Sequence, residues 1–138
     1  MSRLPALDRT NAGLFVGDLL VIFAVFSYGL RAHGVSVLDR PRYLFVTAGP
    51  YVLAWLFAGP ASGLYARRVR DQWRSVVVSS VIAWTAVCVF GSVLRSTAVF
   101  PGSAPLVFVL VLIVVGLAVL LPWRVAVSFV ATSERAKG

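Results

Sequence analysis

Four apolar runs, each close to the length a helix needs to cross a lipid bilayer, constrain this chain more than any other feature. A helix rises about 1.5 Å per residue, so about 20 apolar residues cover a hydrocarbon core of roughly 30 Å. Residues 13–30, 44–65, 75–94 and 104–123 meet that requirement, and only the first run contains a charged residue. No water reaches the bilayer core to satisfy exposed backbone N–H and C=O groups, whereas a helix satisfies its own. The sequence therefore predicts an all-α, polytopic membrane protein, a four-transmembrane-helix bundle with short loops.

Composition points the same way. Of the 138 residues, 59% are hydrophobic and 13% charged, against roughly 25% charged in soluble domains. A single domain over 1–138 is expected, ending in a short polar tail from about 128 to 138. A net charge of +8 would suggest nucleic-acid binding in a soluble chain. Here the basic residues cluster at the ends of apolar runs, where loops and headgroups hold them, so no nucleic-acid partner is expected. All but one of the 13 basic residues are Arg, the exception being Lys137, a bias that suggests a GC-rich prokaryotic genome. Arg3 and Arg9 precede an apolar stretch in the manner of a secretory signal. Asp18 interrupts that stretch, however, and Arg31 stands where cleavage would need small residues, so the segment reads as a retained anchor.

The connections are short and rich in turn chemistry. His33, Gly34, Asp39 and Pro41 fall between the first two spans, and Pro101 and Gly102 between the last two. Such loops favour antiparallel neighbours in sequence order. Arg3, Arg9, Arg67, Arg68, Arg70, Arg74, Arg124, Arg135 and Lys137 fall on one side of this topology, and Arg31, Arg40, Arg42 and Arg95 on the other. The positive-inside rule then places both termini in the cytoplasm of a multi-pass cell-membrane protein. The run Arg67, Arg68, Arg70 and Arg74 is suited to anionic headgroups. Tyr43, Tyr65, Trp73 and Trp123 fall at expected interfaces, whereas Trp55 and Trp84 lie within spans and are expected to pack between helices. Leu30–Arg31 and Leu94–Arg95 end alternate spans, each Arg followed ten residues later by Pro41 or Pro105, but little else aligns at this offset.

Asp18 is the residue a membrane must explain. It lies in the half of the first span nearer the N-terminus, where ionised groups face a bundle or a watery cavity. Asn11, Leu14, Val25 and Gly29 share its face, which makes that face a plausible packing surface. On the third span, Ser80, Trp84, Thr85, Cys88, Gly91, Ser92 and Arg95 form one stripe, while Ile82, Ala83, Ala86, Val89, Phe90 and Val93 lie opposite and are expected to face lipid. Cys88, the single cysteine, can form no intramolecular disulfide and reads as a buried hydrophobe. In the second span, Pro50 is expected to kink the helix. Gly59 and Gly63 are a small-residue pair split by Pro60. The fourth span, almost all Leu and Val apart from Gly116, is expected to be the most lipid-exposed. Depth alone suggests two pairings, Asp18 with Arg124 and His33 with Arg95.

Gly17 and Asp18, His33 and Gly34, Pro50 and Trp55, the Arg-rich middle loop, Trp84, Leu94 and Arg95, and Trp123 and Arg124 occur in an order and spacing that resembles one family. It is the uncharacterised prokaryotic membrane family called domain of unknown function 3054, and the resemblance covers roughly residues 8–127. It implies a four-helix membrane protein of archaea and actinobacteria, and it carries no activity, substrate or ligand.

Two functions fit these residues. A small transporter or permease could use Asp18 and the polar stripe as an ion-linked site, a homo-oligomer enlarging the enclosed space. The alternative is a non-catalytic accessory or assembly subunit whose helices meet those of another membrane protein. No enzyme is expected, since one His, one Cys and one intramembrane carboxylate form no catalytic or metal-ligating constellation, and no cofactor motif is present.

Overall fold

The computed structural model describes residues 9–66, 72–100 and 102–137. They form four helices and no strand: α1 (Arg9–Ala32), α2 (Pro41–Ala61), α3 (Trp73–Arg95) and α4 (Leu106–Lys137). All four are long and apolar enough to cross a membrane. Each packs against two others: α1 and α3 both touch α2 and α4. The helices thus form a ring in chain order, with α1 and α3 on one diagonal and the start of α1 and the end of α4 at the same end.

Buried residues recur on one face of each helix at the spacing a helix imposes. On α1 they are Asn11, Leu14, Asp18, Ile22, Val25 and Phe26, three or four residues apart but for the last pair. On α4 the stripe is Leu112, Gly116, Leu120, Arg124 and Ser128, each one turn from the next. The same face that brings Leu120 into the core therefore carries Arg124 into it. Glycine sharpens the packing, because a Cβ on Gly17 would overlap the Trp123 ring and one on Gly116 would overlap Trp84. In both places an aromatic ring lies directly on a neighbouring backbone, the close approach that small residues permit in membrane bundles.

Several boundaries differ from those expected. The second span does not reach Tyr65: α2 stops at Ala61, and Gly63, at φ +80°, turns the chain back on itself. A side chain is strained in that left-handed conformation, so glycine fits there. Leu64, Tyr65 and Ala66 are buried as a result. At the other end of the chain, α4 runs 14 residues past Trp123, and the polar segment from 128 is helical through Lys137. The stretch ends on Glu134, Arg135, Ala136 and Lys137, all good helix formers, and no proline interrupts it. α2 remains one helix through Pro50 and Pro60.

The α3 stripe is wider than the wheel suggests. Ser80, Trp84, Cys88, Gly91 and Ser92 are buried, while Ile82, Val89, Phe90 and Val93 are exposed. Ala83, expected on the lipid side, is fully buried. Contact with both α2 and α4 buries a broad arc rather than a narrow seam. Accordingly half of the α3 span is covered, against 17% for α4, the most exposed helix.

Candidate functional site: a buried carboxylate–guanidinium clasp

Asp18 and Arg124 meet at the α1–α4 seam, both essentially without solvent exposure. Arg124 binds in a forked, two-pronged manner. Its Nε donates to Oδ1 of Asp18 at 2.8 Å and its Nη2 to Oδ2. Such planar pairing is the strongest that arginine makes with a carboxylate. Two further donors complete the shell: Nε1 of Trp123 to Oδ1 at 3.1 Å, and the Tyr65 hydroxyl to Oδ2. An ionised carboxylate offers about four acceptor sites, so four donors leave Asp18 saturated.

The surrounding groups hold those donors in place. The Tyr65 hydroxyl accepts a hydrogen bond from Nε1 of Trp55 at 2.9 Å, and the Tyr65 carbonyl accepts one from the Asn11 amide at 2.7 Å. The Arg124 guanidinium also lies 4.8 Å from the centre of the Tyr65 ring, within cation–π range. The turn after α2 is therefore pinned to α1 through side chain and backbone alike. Burial, and secondarily the Asp18 carboxylate, push the Tyr65 phenol above its ordinary range, so it stays protonated and donates.

The remaining candidates are spread along the bundle. Trp84 is buried against Trp55 and donates its indole N–H to the Leu112 carbonyl at 3.1 Å. Ser92 shares a 3.0 Å hydrogen bond with the Tyr51 hydroxyl between α3 and α2. Cys88 is a buried free thiol, and Thr85 is half-buried at the edge of the stripe. The Ser80 hydroxyl is buried without a hydrogen-bond partner among the described residues.

His33 and Arg95 do not pair. His33 follows α1 and Arg95 ends α3, helices that stand on a diagonal, and Arg95 turns instead to the Ser103 carbonyl at 3.1 Å, the Thr47 carbonyl at 3.5 Å and the Phe108 ring. His33 is exposed in the turn after α1. In the basic run, Arg67, Arg68 and Arg70 lie outside the described residues, and Arg74 is exposed, stacked over Trp73.

Sequence reasoning places Tyr65 and Trp123 near membrane interfaces and gives neither a role at Asp18, to which both donate. Both stand at the end of an apolar run, which is also where interfacial aromatics stand. The only local hints to their inward role are Gly63, which permits the reversal, and the adjacency of Trp123 to Arg124.

Fold and site together define a class: a four-helix membrane bundle closed by an intramembrane ion pair. The chain matches the family described as a protein of unknown function, DUF3054, over residues 15–127, and it belongs to that family. The matched stretch includes Asp18, Tyr65, Trp123 and Arg124. No curated protein and no solved structure matches it.

Proposed function

We propose that this chain is a non-catalytic accessory or assembly subunit of a membrane complex, in which Asp18 and Arg124 bolt the bundle shut rather than carry an ion. The observation that supports this is the saturation of Asp18. A carboxylate that ferries a proton or cation must release an acceptor site to it, and all four here are engaged from α4 and the α2–α3 turn. The exposed faces of α3 and α4 are then the surfaces available to the helices of another membrane protein. Both termini are assigned to the cytoplasm of the cell membrane, following the excess of Arg and Lys at that end. Arg67, Arg68, Arg70 and Arg74 are assigned to anionic headgroups there.

Transport is the second reading, favoured by the unpartnered Ser80 hydroxyl within the bundle and by the further polar groups along α3. Two measurements separate the readings. Purification in mild detergent is expected to retain a stoichiometric membrane partner, and the doubly neutral variant Asp18→Leu with Arg124→Leu is expected to keep it. Proteoliposomes tested with a panel of cations and small metabolites, with and without a pH gradient, are expected to show no flux that depends on Asp18. Such a flux, or recovery of a clean homo-oligomer alone, overturns the assembly reading.

A further inference from the structure

We infer that the end of α1 and the turn after it form a binding groove for one anionic phospholipid, its phosphate on Arg31 and its acyl chain against Tyr28, Val35, Val37 and Leu38. The groove is a consequence of how α1 ends. Gly34, at φ +78°, stops the helix, with the Val35 N–H bonded to the Leu30 carbonyl at 2.9 Å and the Gly34 N–H to the Arg31 carbonyl at 3.0 Å. This six-to-one closure with a left-handed glycine is a Schellman motif. It folds Val35, Ser36, Val37 and Leu38 back beside the face of α1 that carries Ser27, Tyr28 and Arg31, enclosing a groove of about 700 Å³.

The lining has the pattern of a lipid rather than of a soluble ligand. It is mostly apolar with one cation at its rim. Tyr28 and Leu38 are 71% and 94% exposed, so the apolar wall of the groove is open to a chain from the surrounding bilayer. Arg31, in the last turn of α1, sits at the level where a spanning helix meets headgroups. Its charge is open to a ligand. Among the described residues Arg31 has no ion pair or side-chain hydrogen bond, whereas Arg40 lies against the Tyr43 ring and Arg95 is held by two carbonyls. A free cation above an apolar trough complements a phosphate above a chain, and an arginine near a membrane surface attracts anionic lipid by an amount worth about fivefold in affinity.

The test uses the full chain, delipidated in detergent and observed by native mass spectrometry with added phosphatidylglycerol or with phosphatidylcholine of identical chains. Phosphatidylglycerol is expected to bind about fivefold more tightly. Arg31→Gln is expected to abolish that preference, and Arg42→Gln, at another exposed arginine outside the groove, to leave it intact. Protection of Cys88 from a thiol reagent checks that each variant is folded, because that thiol is fully buried. The inference is overturned if Arg31→Gln keeps the preference or if Arg42→Gln removes it equally, which would indicate diffuse surface charge. Displacement of the lipid by equimolar glycerol phosphate would also overturn it, since that would indicate a phosphate site without a chain groove.

Discussion

Among the described residues one arginine turns inward at each end of the bundle, and the two are satisfied by different means. Arg124, in the half of the bundle where α1 begins, is 2% exposed and has a full counter-charge, an aromatic face and a carboxylate with no acceptor left open. Arg95, at the opposite end, is half-buried and makes do with two carbonyl dipoles and the Phe108 ring. The difference follows from solvation. A guanidinium that keeps some exposure retains part of its hydration, whereas one stripped of it is tolerable only with an opposite charge at contact distance. The same comparison explains why the α1–α4 seam, poor in other contacts, carries the ion pair, while α2 and α3 associate through extensive packing and the Tyr51–Ser92 bond.

The largest expected effect comes from breaking the pair on one side. Asp18→Leu strands a buried guanidinium and is expected to destabilise the bundle by about 3–5 kcal/mol. Heating in detergent while following the reactivity of Cys88 would register this as a large fall in unfolding temperature. Replacing both residues with Leu is expected to recover most of the loss, because two apolar side chains leave no uncompensated charge. Failure of the double variant to recover would show that Asp18 does more than balance Arg124.

A smaller loss, about 1–3 kcal/mol, is expected for Tyr65→Phe, which removes one donor from Asp18 and the acceptor of Trp55. This effect carries a pH signature. The phenol's folded pKa is raised above its ordinary value of 10.0, so its contribution is fully present below that value and is lost only as pH rises through the folded pKa. The stability gap between the wild-type chain and Tyr65→Phe should therefore be constant from neutral pH to about 10 and narrow above it. A gap that closes near neutrality would contradict the protonated donor.

The smallest expected effect is that of Arg95→Met, about 1 kcal/mol, since its partners are neutral backbone carbonyls and part of the side chain is solvated. A loss as large as that of Asp18→Leu would mean that the two arginines are held with equal strength.

Much of this is legible in the sequence alone. Four runs of the right length, a single charge among them and a polar stripe on the third are local patterns, each set by a chain's own rise and periodicity. The depth of Asp18 and Arg124 also follows from counting residues along spans. What counting could not reveal was the return of the chain after α2. Tyr65 sits four residues beyond the end of that helix, and only the reversal at Gly63 turns a residue that looked interfacial into a donor to Asp18. The expected meeting of His33 and Arg95 failed for a related reason. Depth places two residues on one level but does not say whether their helices are neighbours, and here α1 and α3 are diagonal.

By itself, then, the sequence determined that the chain spans a bilayer as four helices and that one carboxylate must be accommodated inside. A buried backbone can satisfy itself only as helix, and a charge in hydrocarbon must find company. Which groups supply that company was decided by tertiary structure alone. The four donors to Asp18 come from residues 47 to 106 positions away, and no local periodicity records which faces of distant helices and turns will meet.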